Sequence, residues 1–256
     1  MKKNQANLID NFLINTAKKV GKEILYFKNK NLIKITKKQK NLKTNIDVIA
    51  NKIWISNIKK NFNNVSILSE ELKFYKKIGE EWTGFIIDPI DGTRSLFSNY
   101  NSYVTQVAFI NRGKITSSII YNPETKEIFT KKTKIYKNSR KLNSIIDNYS
   151  KPNKNLIKII KKLKIANYFE AGSIGYKISK VLDNTSTLFI KLNKIKLWDV
   201  APGIFLIKKN GGFIVDKYFK EINLNQINVK GLIVTMNKES LKFIKKKYPK
   251  GLLINQ

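Results

Sequence analysis

The sequence predicts a mixed α/β (α+β) protein built of layered helices and sheets. Three observations predict it: helical apolar spacing near the N-terminus, consecutive apolar strands in the middle, and alternating helices and strands in the second half. Leu8, Phe12, Leu13, Ala17, Val20 and Ile24 recur at helical spacing and predict an amphipathic helix over 6–30. A second helix is expected over 47–62, with Val48, Ile49, Ile53, Trp54 and Ile58 on its apolar side. Residues 65–68 form a short apolar run that ends at Ser69-Glu70-Glu71. Residues 82–87 form another, running straight into Asp88-Pro89.

The pattern then changes to strands. Residues 103–110, 115–121 and 127–130 read as an antiparallel meander, with turns at Asn111-Arg112-Gly113 and Asn122-Pro123. Residues 137–154 are polar and hold Pro152. They mark the expected boundary between a half spanning 1–140, which carries most candidate ligands, and a half spanning 141–256, which completes one integrated catalytic unit. Residues 156–163 are short and mixed in character. Helices are expected over 173–183 and 200–209, the second ended by Gly211-Gly212. Strands follow at 187–191, 213–215 and 231–236, and 238–247 reads as a final helix.

Composition removes whole classes of chemistry. The 256 residues include no Cys, which excludes disulfides, thiolate metal sites and cysteine nucleophiles. They include no His, which excludes a Ser-His-Asp triad, imidazole acid–base catalysis and the usual zinc sites. Oxygen-only ligands point to Mg2+, Mn2+ or Ca2+. The net charge of +32 raises nucleic-acid binding as a rival function, with a non-catalytic scaffold as a further one. Lysines are scattered from Lys2 to Lys250 with no Arg cluster and no interleaved aromatics, so no specific nucleic-acid partner is expected. A positive surface does attract anionic substrates. No apolar run reaches the ~18 residues of a membrane span. Residues 1–10 carry no apolar signal region, so a cytoplasmic protein is expected.

The chemistry concentrates in Asp88-Pro89-Ile90-Asp91-Gly92-Thr93-Arg94. An apolar strand delivers two carboxylates, three positions apart, to its end. Gly92 lets the backbone approach a ligand, and the start of a helix after Thr93 would suit a phosphate. Two carboxylates that close repel unless a cation lies between them. Glu70 and Glu71 follow a strand, while Asp47 and Asp199 sit at helix starts. Helix capping is the commonest role of Asp at such positions.

Together these segments resemble the inositol monophosphatase superfamily. The resemblance rests on Ser69-Glu70-Glu71, on Asp88-Pro89-Ile90-Asp91-Gly92-Thr93, and on Trp198-Asp199-Val200-Ala201-Pro202-Gly203 followed by Gly211-Gly212. It implies a layered αβαβ sandwich of the sugar-phosphatase type and a lithium-sensitive, Mg2+-dependent phosphatase of small phosphate monoesters using two or three ions. Glu70, Asp88 and the Ile90 carbonyl would hold one Mg2+, and Asp88, Asp91 and Asp199 a second. The catalytic residues would be Asp47, Glu70 and Thr93, with Asp47 and Thr93 orienting the attacking water. Gly92 and Thr93 N–H groups would bind the phosphate, and Gly172 and Ser173 would line the substrate pocket. A homodimer is common in this family.

Within the family, inositol-specific members carry an acidic residue seven positions before the Trp-Asp aspartate. Here Leu192 stands there, preceded by Lys191. Lys191, Arg94 and Ser69 resemble the 3'(2'),5'-bisphosphate nucleotidase (CysQ-like) branch, in which a basic residue meets a second phosphate. Lys177 lies one position away from where that branch carries a lysine. The expected substrate is adenosine 3',5'-bisphosphate, with inositol or another sugar phosphate and histidinol phosphate as alternatives.

Overall fold

The computed structural model describes residues 3–37, 42–72, 78–79, 81–133, 135, 141–148 and 150–253. Helix α1 (Lys3–Asn29) buries Leu13, Ala17, Val20 and Ile24 along one stripe. A two-strand ribbon, β1 (Ile35–Lys37) and β2 (Lys43–Thr44), leads into α2 (Asn45–Asn61). A first sheet follows, containing β3 (Ser66–Ser69) and β4 (Gly84–Asp91). After the short helix α3 (Thr93–Phe97) come β5 (Val104–Asn111), β6 (Lys114–Tyr121) and β7 (Ile128–Thr130). The strand order is β3-β4-β5-β6-β7. Only β3 and β4 run parallel; the rest is an antiparallel meander, as the turn residues predict.

The remaining chain builds a second sheet. It runs through β8 (Ser144–Asp147), α4 (Lys154–Leu163), β9 (Asn167–Glu170), α5 (Ile174–Leu182) and β10 (Leu188–Lys191). Next come β11 (Ile195–Lys196), α6 (Leu197–Lys209), β12 (Phe213–Val215), β13 (Asn228–Val229), β14 (Leu232–Thr235) and α7 (Lys238–Lys247). The order is β12-β14-β10-β8-β9, with β11 and β13 forming a separate ribbon.

The layers follow from which faces are apolar. Along β4 the side chains alternate. Phe85 and Ile87 face a core shared with α1 and α2, including Trp54 and Ile58. Ile86 faces the core between the sheets, where α5 and α6 contribute Ile178, Val181, Leu206 and Ile207. On the far side of the second sheet, Ile145, Leu188 and Ile233 pack against Leu156 and Ile159 of α4 and Ile244 of α7. The result is a layered αβαβ sandwich with α4 and α7 covering its outer sheet.

Three local departures matter. The 137–154 stretch, expected as a polar boundary, contains β8, whose Ile145 and Ile146 are buried. The mixed 156–163 run is helical, because Leu156, Ile159 and Leu163 fall on one face and Asn153 caps it through Asn155 and Leu156 N–H groups. Helix α6 starts at Leu197, so Pro202 lies inside it rather than in its first turn. That proline leaves the Trp198 carbonyl without its intrahelical donor. Among the described residues, no helix is long and apolar enough to cross a membrane.

Candidate active site

Strand direction gathers the first two carboxylates. Because β3 and β4 are parallel with Ser69 opposite Ile87, both strands deliver their C-terminal residues to one edge. Glu70 N–H donates to the Ile87 carbonyl at 3.2 Å, which sets Glu70 beside Asp88. The β4–β5 register shifts between Asp88 and Asp91, a bulge that accommodates Pro89 and turns Asp91 toward the second half of the chain. Gly92 follows at φ 94°, where an added Cβ would lie 3.0 Å from Ser173 Cβ and 3.1 Å from the Ser102 carbonyl. Only glycine takes that turn without strain.

Two helix starts bring the other carboxylates. Asp47 is the third residue of α2, and one of its oxygens accepts from Thr44 N–H at 2.7 Å and Thr44 Oγ1 at 2.6 Å. The other accepts from Thr93 Oγ1 at 2.8 Å, so the two residues expected to orient water are in contact. Asp199 is likewise the third residue of α6, with one oxygen 2.9 Å from Lys196 N–H. Both aspartates therefore sit at the third helical position and accept the N-cap N–H, rather than sit at the N-cap itself.

Asp91 ties the first sheet to the start of α5. It accepts from Ser173 Oγ at 2.7 Å, Ile174 N–H at 3.2 Å, Gly175 N–H, and Gln106 Nε2 at 3.1 Å. Gln106 Nε2 also reaches the Asp199 carbonyl at 3.1 Å. Ser173 is 1% exposed and also caps α5 through Tyr176 N–H at 2.9 Å. Its hydroxyl donates to Asp91 and accepts from the helix, beside Gly172 at the cavity wall.

A cavity of about 490 Å3 opens over these groups, lined by Glu70, Asp88, the Ile90 residue, Asp91, Gly92, Thr93, Arg94, Gly172 and Asp199, among others. Arg94 is exposed at its rim. Lys191 lies elsewhere, in a second cavity of about 190 Å3. Lys177, which the sequence placed out of position, is fully buried. Its ammonium donates to the Ala171 and Gly172 carbonyls at 3.1 Å each and to Asn148 Oδ1. It thereby pins the Gly172 turn.

The carboxylates strain one another electrically. Burial, then the charges of Glu70, Asp91, Asp199 and Asp47, push Asp88 well above the usual carboxylate range. Burial, then Asp91 and Glu70, does the same to Asp199. Burial and the Glu71 charge lift Glu70 to about 7. Burial also raises Asp91 and Asp47, against the opposing pull of their hydrogen-bond donors. Burial brings the Lys177 ammonium down to about 7.

Asp88 Oδ1 is buried with no hydrogen-bond partner, which is costly unless something positive meets it. A hard divalent cation fits that oxygen and the all-oxygen donor set around it. Among the described residues, no three acidic groups are gathered tightly enough to enclose an ion as they stand.

The inositol monophosphatase family model matches residues 6–247. This chain belongs to the inositol monophosphatase family. It is, with that family, a phosphoric monoester hydrolase. The Nus factor SuhB of Xylella fastidiosa is 25% identical over 241 residues, covering 86% of each chain. The 3'(2'),5'-bisphosphate nucleotidase CysQ of Buchnera aphidicola is 25% identical over 187 residues, covering 66% of this chain and 69% of its own. Among solved structures, an IMPase/NADP phosphatase with NADP and Ca2+ superposes with a TM-score of 0.83 at 20% identity, covering 94% of this chain and 95% of its own. An IMPase/NADP phosphatase with Mg2+ and phosphate gives 0.80 at 20% identity, covering 95% of both. These likenesses establish the fold. The names among the relatives include a Nus factor as well as metabolic phosphatases, so they do not single out one substrate.

The motif reading missed Gln106 and set Lys177 one position from the lysine of the nucleotidase branch. Gln106 is one amide inside an apolar strand, and Lys177 is one lysine on the apolar face of α5. Gln106 was visible as an amide breaking an apolar stripe, whereas one lysine in a chain with 50 basic residues was not a signal of burial.

Proposed function

We propose that this phosphatase is a Mg2+-dependent 3'(2'),5'-bisphosphate nucleotidase, converting adenosine 3',5'-bisphosphate and water to AMP and phosphate. The observation that carries the phosphatase chemistry is the buried, unpartnered Asp88 oxygen among mutually repelling carboxylates. The observation that favours the nucleotidase is Leu192 where polyol-specific members place an acid. A hydrophobic side chain cannot replace hydrogen bonds to sugar hydroxyls.

Glu70, Asp88, the Ile90 carbonyl, Asp91 and Asp199 would hold the Mg2+ ions. Bound there, Mg2+ supplies charge neutralisation for the phosphate and leaving oxygen and lowers the pKa of a water. The chain's own groups do the rest. Thr93 Oγ1 donates to Asp47 at 2.8 Å, which leaves its lone pairs to accept a proton from the attacking water. Asp47 then receives the Thr93 proton through that hydrogen bond. Its raised pKa, caused mainly by burial, suits it to this task. The Gly92 and Thr93 N–H groups orient the phosphate, and Arg94 attracts it at the rim. Ser173 and Gln106 hold Asp91, and Lys177 holds Gly172, so the pocket keeps its shape while charge moves. The halves 1–140 and 141–256 would act as one catalytic unit because Asp91 is held by α5.

Phosphate release with Mg2+ tests the reading, comparing adenosine 3',5'-bisphosphate, inositol 1-phosphate and histidinol phosphate. Preference for the bisphosphate is expected. Preference for either monophosphate would keep the metal chemistry and discard the nucleotidase.

A further inference from the structure

Charge is not spread evenly over this lysine-rich molecule. Helices α4 and α7 touch each other on the outer side of the second sheet. They turn Leu156, Ile159, Leu163 and Ile244 inward. All nine lysines of the two helices are exposed, as are Lys164 and Lys250 just beyond their ends. The two helices have only 10 residues each, and Glu239 is the one acid in them. Helices α1 and α2 form the opposite outer layer. They have 27 and 17 residues, yet carry eight lysines together with Asp10, Glu23 and Asp47. A compositional bias acting on the whole chain would load both layers alike.

The helices themselves do not call for this charge. Lysines in a last turn complement the helix dipole, which accounts for Lys161 and Lys162 and for the run from Lys245 to Lys247. Lys154 and Lys238 instead open their helices, at the positive end of the dipole, where a cation is unfavourable. Lys154 and Lys158, and Lys242 and Lys246, are like charges four positions apart, an arrangement that destabilises a helix. Among the described residues, Glu239 on Lys242 at 2.9 Å is the one carboxylate in ion-pair reach of any of the nine. The face therefore holds unneutralised charge that an anionic partner would relieve.

Its layout says which kind of partner. Four helical residues advance about 6 Å along the axis. Each helix thus sets a row of ammonium groups at a regular stride, and packed helices place such rows about 8–10 Å apart. Repeating cations suit a repeating anion. Aromatic rings lie among them. Phe243 is 37% exposed with Lys247 Nζ 5.5 Å from its ring centre, and Lys162 of α4 reaches across to 4.4 Å from the Tyr248 ring. An exposed ring inside a cationic surface gives an unpaired base a place to stack. A membrane surface would ask for a broad apolar face turned outward, and here the apolar sides of both helices are spent on the core. A second copy of this chain would bring the same charge to the same face.

We propose that the α4/α7 face binds single-stranded nucleic acid through its phosphate backbone, without reading sequence. None of its lysines lines the active-site cavity, so binding here and hydrolysis there are separable. The reading is independent of which phosphate ester the enzyme cleaves.

The test is fluorescence anisotropy of a labelled oligouridylate of about 20 nucleotides with the full chain and two variants. The face variant combines Lys158→Gln, Lys161→Gln, Lys245→Gln and Lys246→Gln, none of which makes an ion pair or ring contact among the described residues. The control combines Lys18→Gln, Lys22→Gln, Lys52→Gln and Lys59→Gln, four exposed lysines of α1 and α2, and so removes the same net charge. At about 0.1 M salt the face variant should bind at least about tenfold more weakly, and the control within about twofold of the wild type. The slope of log affinity against log salt should flatten by about 0.7 for each lysine that had met a phosphate. Thermal unfolding checks the fold, and the face variant should melt no lower than the control because its like-charge contacts are relieved. No binding by the wild type would overturn the proposal. Equal losses in the two variants would also overturn it, by showing that diffuse charge rather than this face holds the strand. So would sedimentation with phosphatidylserine vesicles that the face variant loses while oligouridylate binding is unchanged.

Discussion

Replacing Asp91 by Asn separates two roles that one carboxylate performs. From sequence alone the change should abolish activity and leave the fold nearly untouched. The structure alters the second half of that expectation. Asp91 Oδ2 accepts from Ser173 Oγ, Gly175 N–H and Gln106 Nε2, and Oδ1 accepts from Ile174 N–H. An asparagine oxygen in the Oδ2 place keeps three of these bonds, but as neutral ones of about half the strength. Its NH2 group then faces the Ile174 N–H, donor against donor, at about 1–3 kcal/mol. Loss of repulsion against Asp88 and Asp199 offsets part of the total. The net destabilisation is about 2 kcal/mol, a fall in Tm of about 4–8 °C for a chain of this size. Activity should fall more than about 100-fold, beyond the loss typical of outer-shell partners. Thermal unfolding by circular dichroism and phosphate release at saturating Mg2+ measure the two effects. Retained turnover would refute the metal-ligand role, and an unchanged Tm would refute the bridging role.

Three other outcomes are expected. Glu70 is pushed from 4.5 to about 7, so in the metal-free chain its contribution to stability is intact below about pH 4.5 and lost as pH rises toward 7. Mg2+ competes with that proton, so the rise in Tm on adding Mg2+ should be larger at about pH 8 than at about pH 5.5; equal rises would count against Glu70 as a ligand. Lys177→Met should lower kcat/KM about 10–100-fold by releasing the Gly172 turn, with stability changed far less because an ammonium no longer has to be buried; an unchanged kcat/KM measured on p-nitrophenyl phosphate would remove its positioning role. Trp54→Phe deletes the 2.8 Å bond to Thr105 Oγ1 inside the first core and should cost about 1–2 kcal/mol in urea unfolding without changing KM.

The parts of the site that were legible in the sequence are those where chemistry and strand ends coincide. Glu70, Asp88 and Asp91 stand at the ends of apolar runs, and Asp47 and Asp199 open helices, so residue type and position agreed. The meander of β5 to β7 was legible for the same reason, since its turns carry Asn-Arg-Gly and Asn-Pro. What escaped was hidden by the lysines. With 50 basic residues in the chain, one more at Lys177 carries no signal of burial, and α4 reads as mixed because lysines crowd its exposed face. Ser173 was legible as part of the site, but its partner was not. Only the packing of α5 shows that its hydroxyl donates to Asp91. Lys191 shows the same limit, for a position next to a motif does not say which of two cavities a long side chain enters.

The Asp91 bonds to α5 join residues 82 to 84 positions apart in the chain. The first sheet alone therefore leaves Asp91 without its α5 donors. A molecule whose first sheet has formed but whose second has not docked holds Asp91 against water and is silent in an assay. Refolding followed by phosphate release should therefore lag refolding followed by secondary structure.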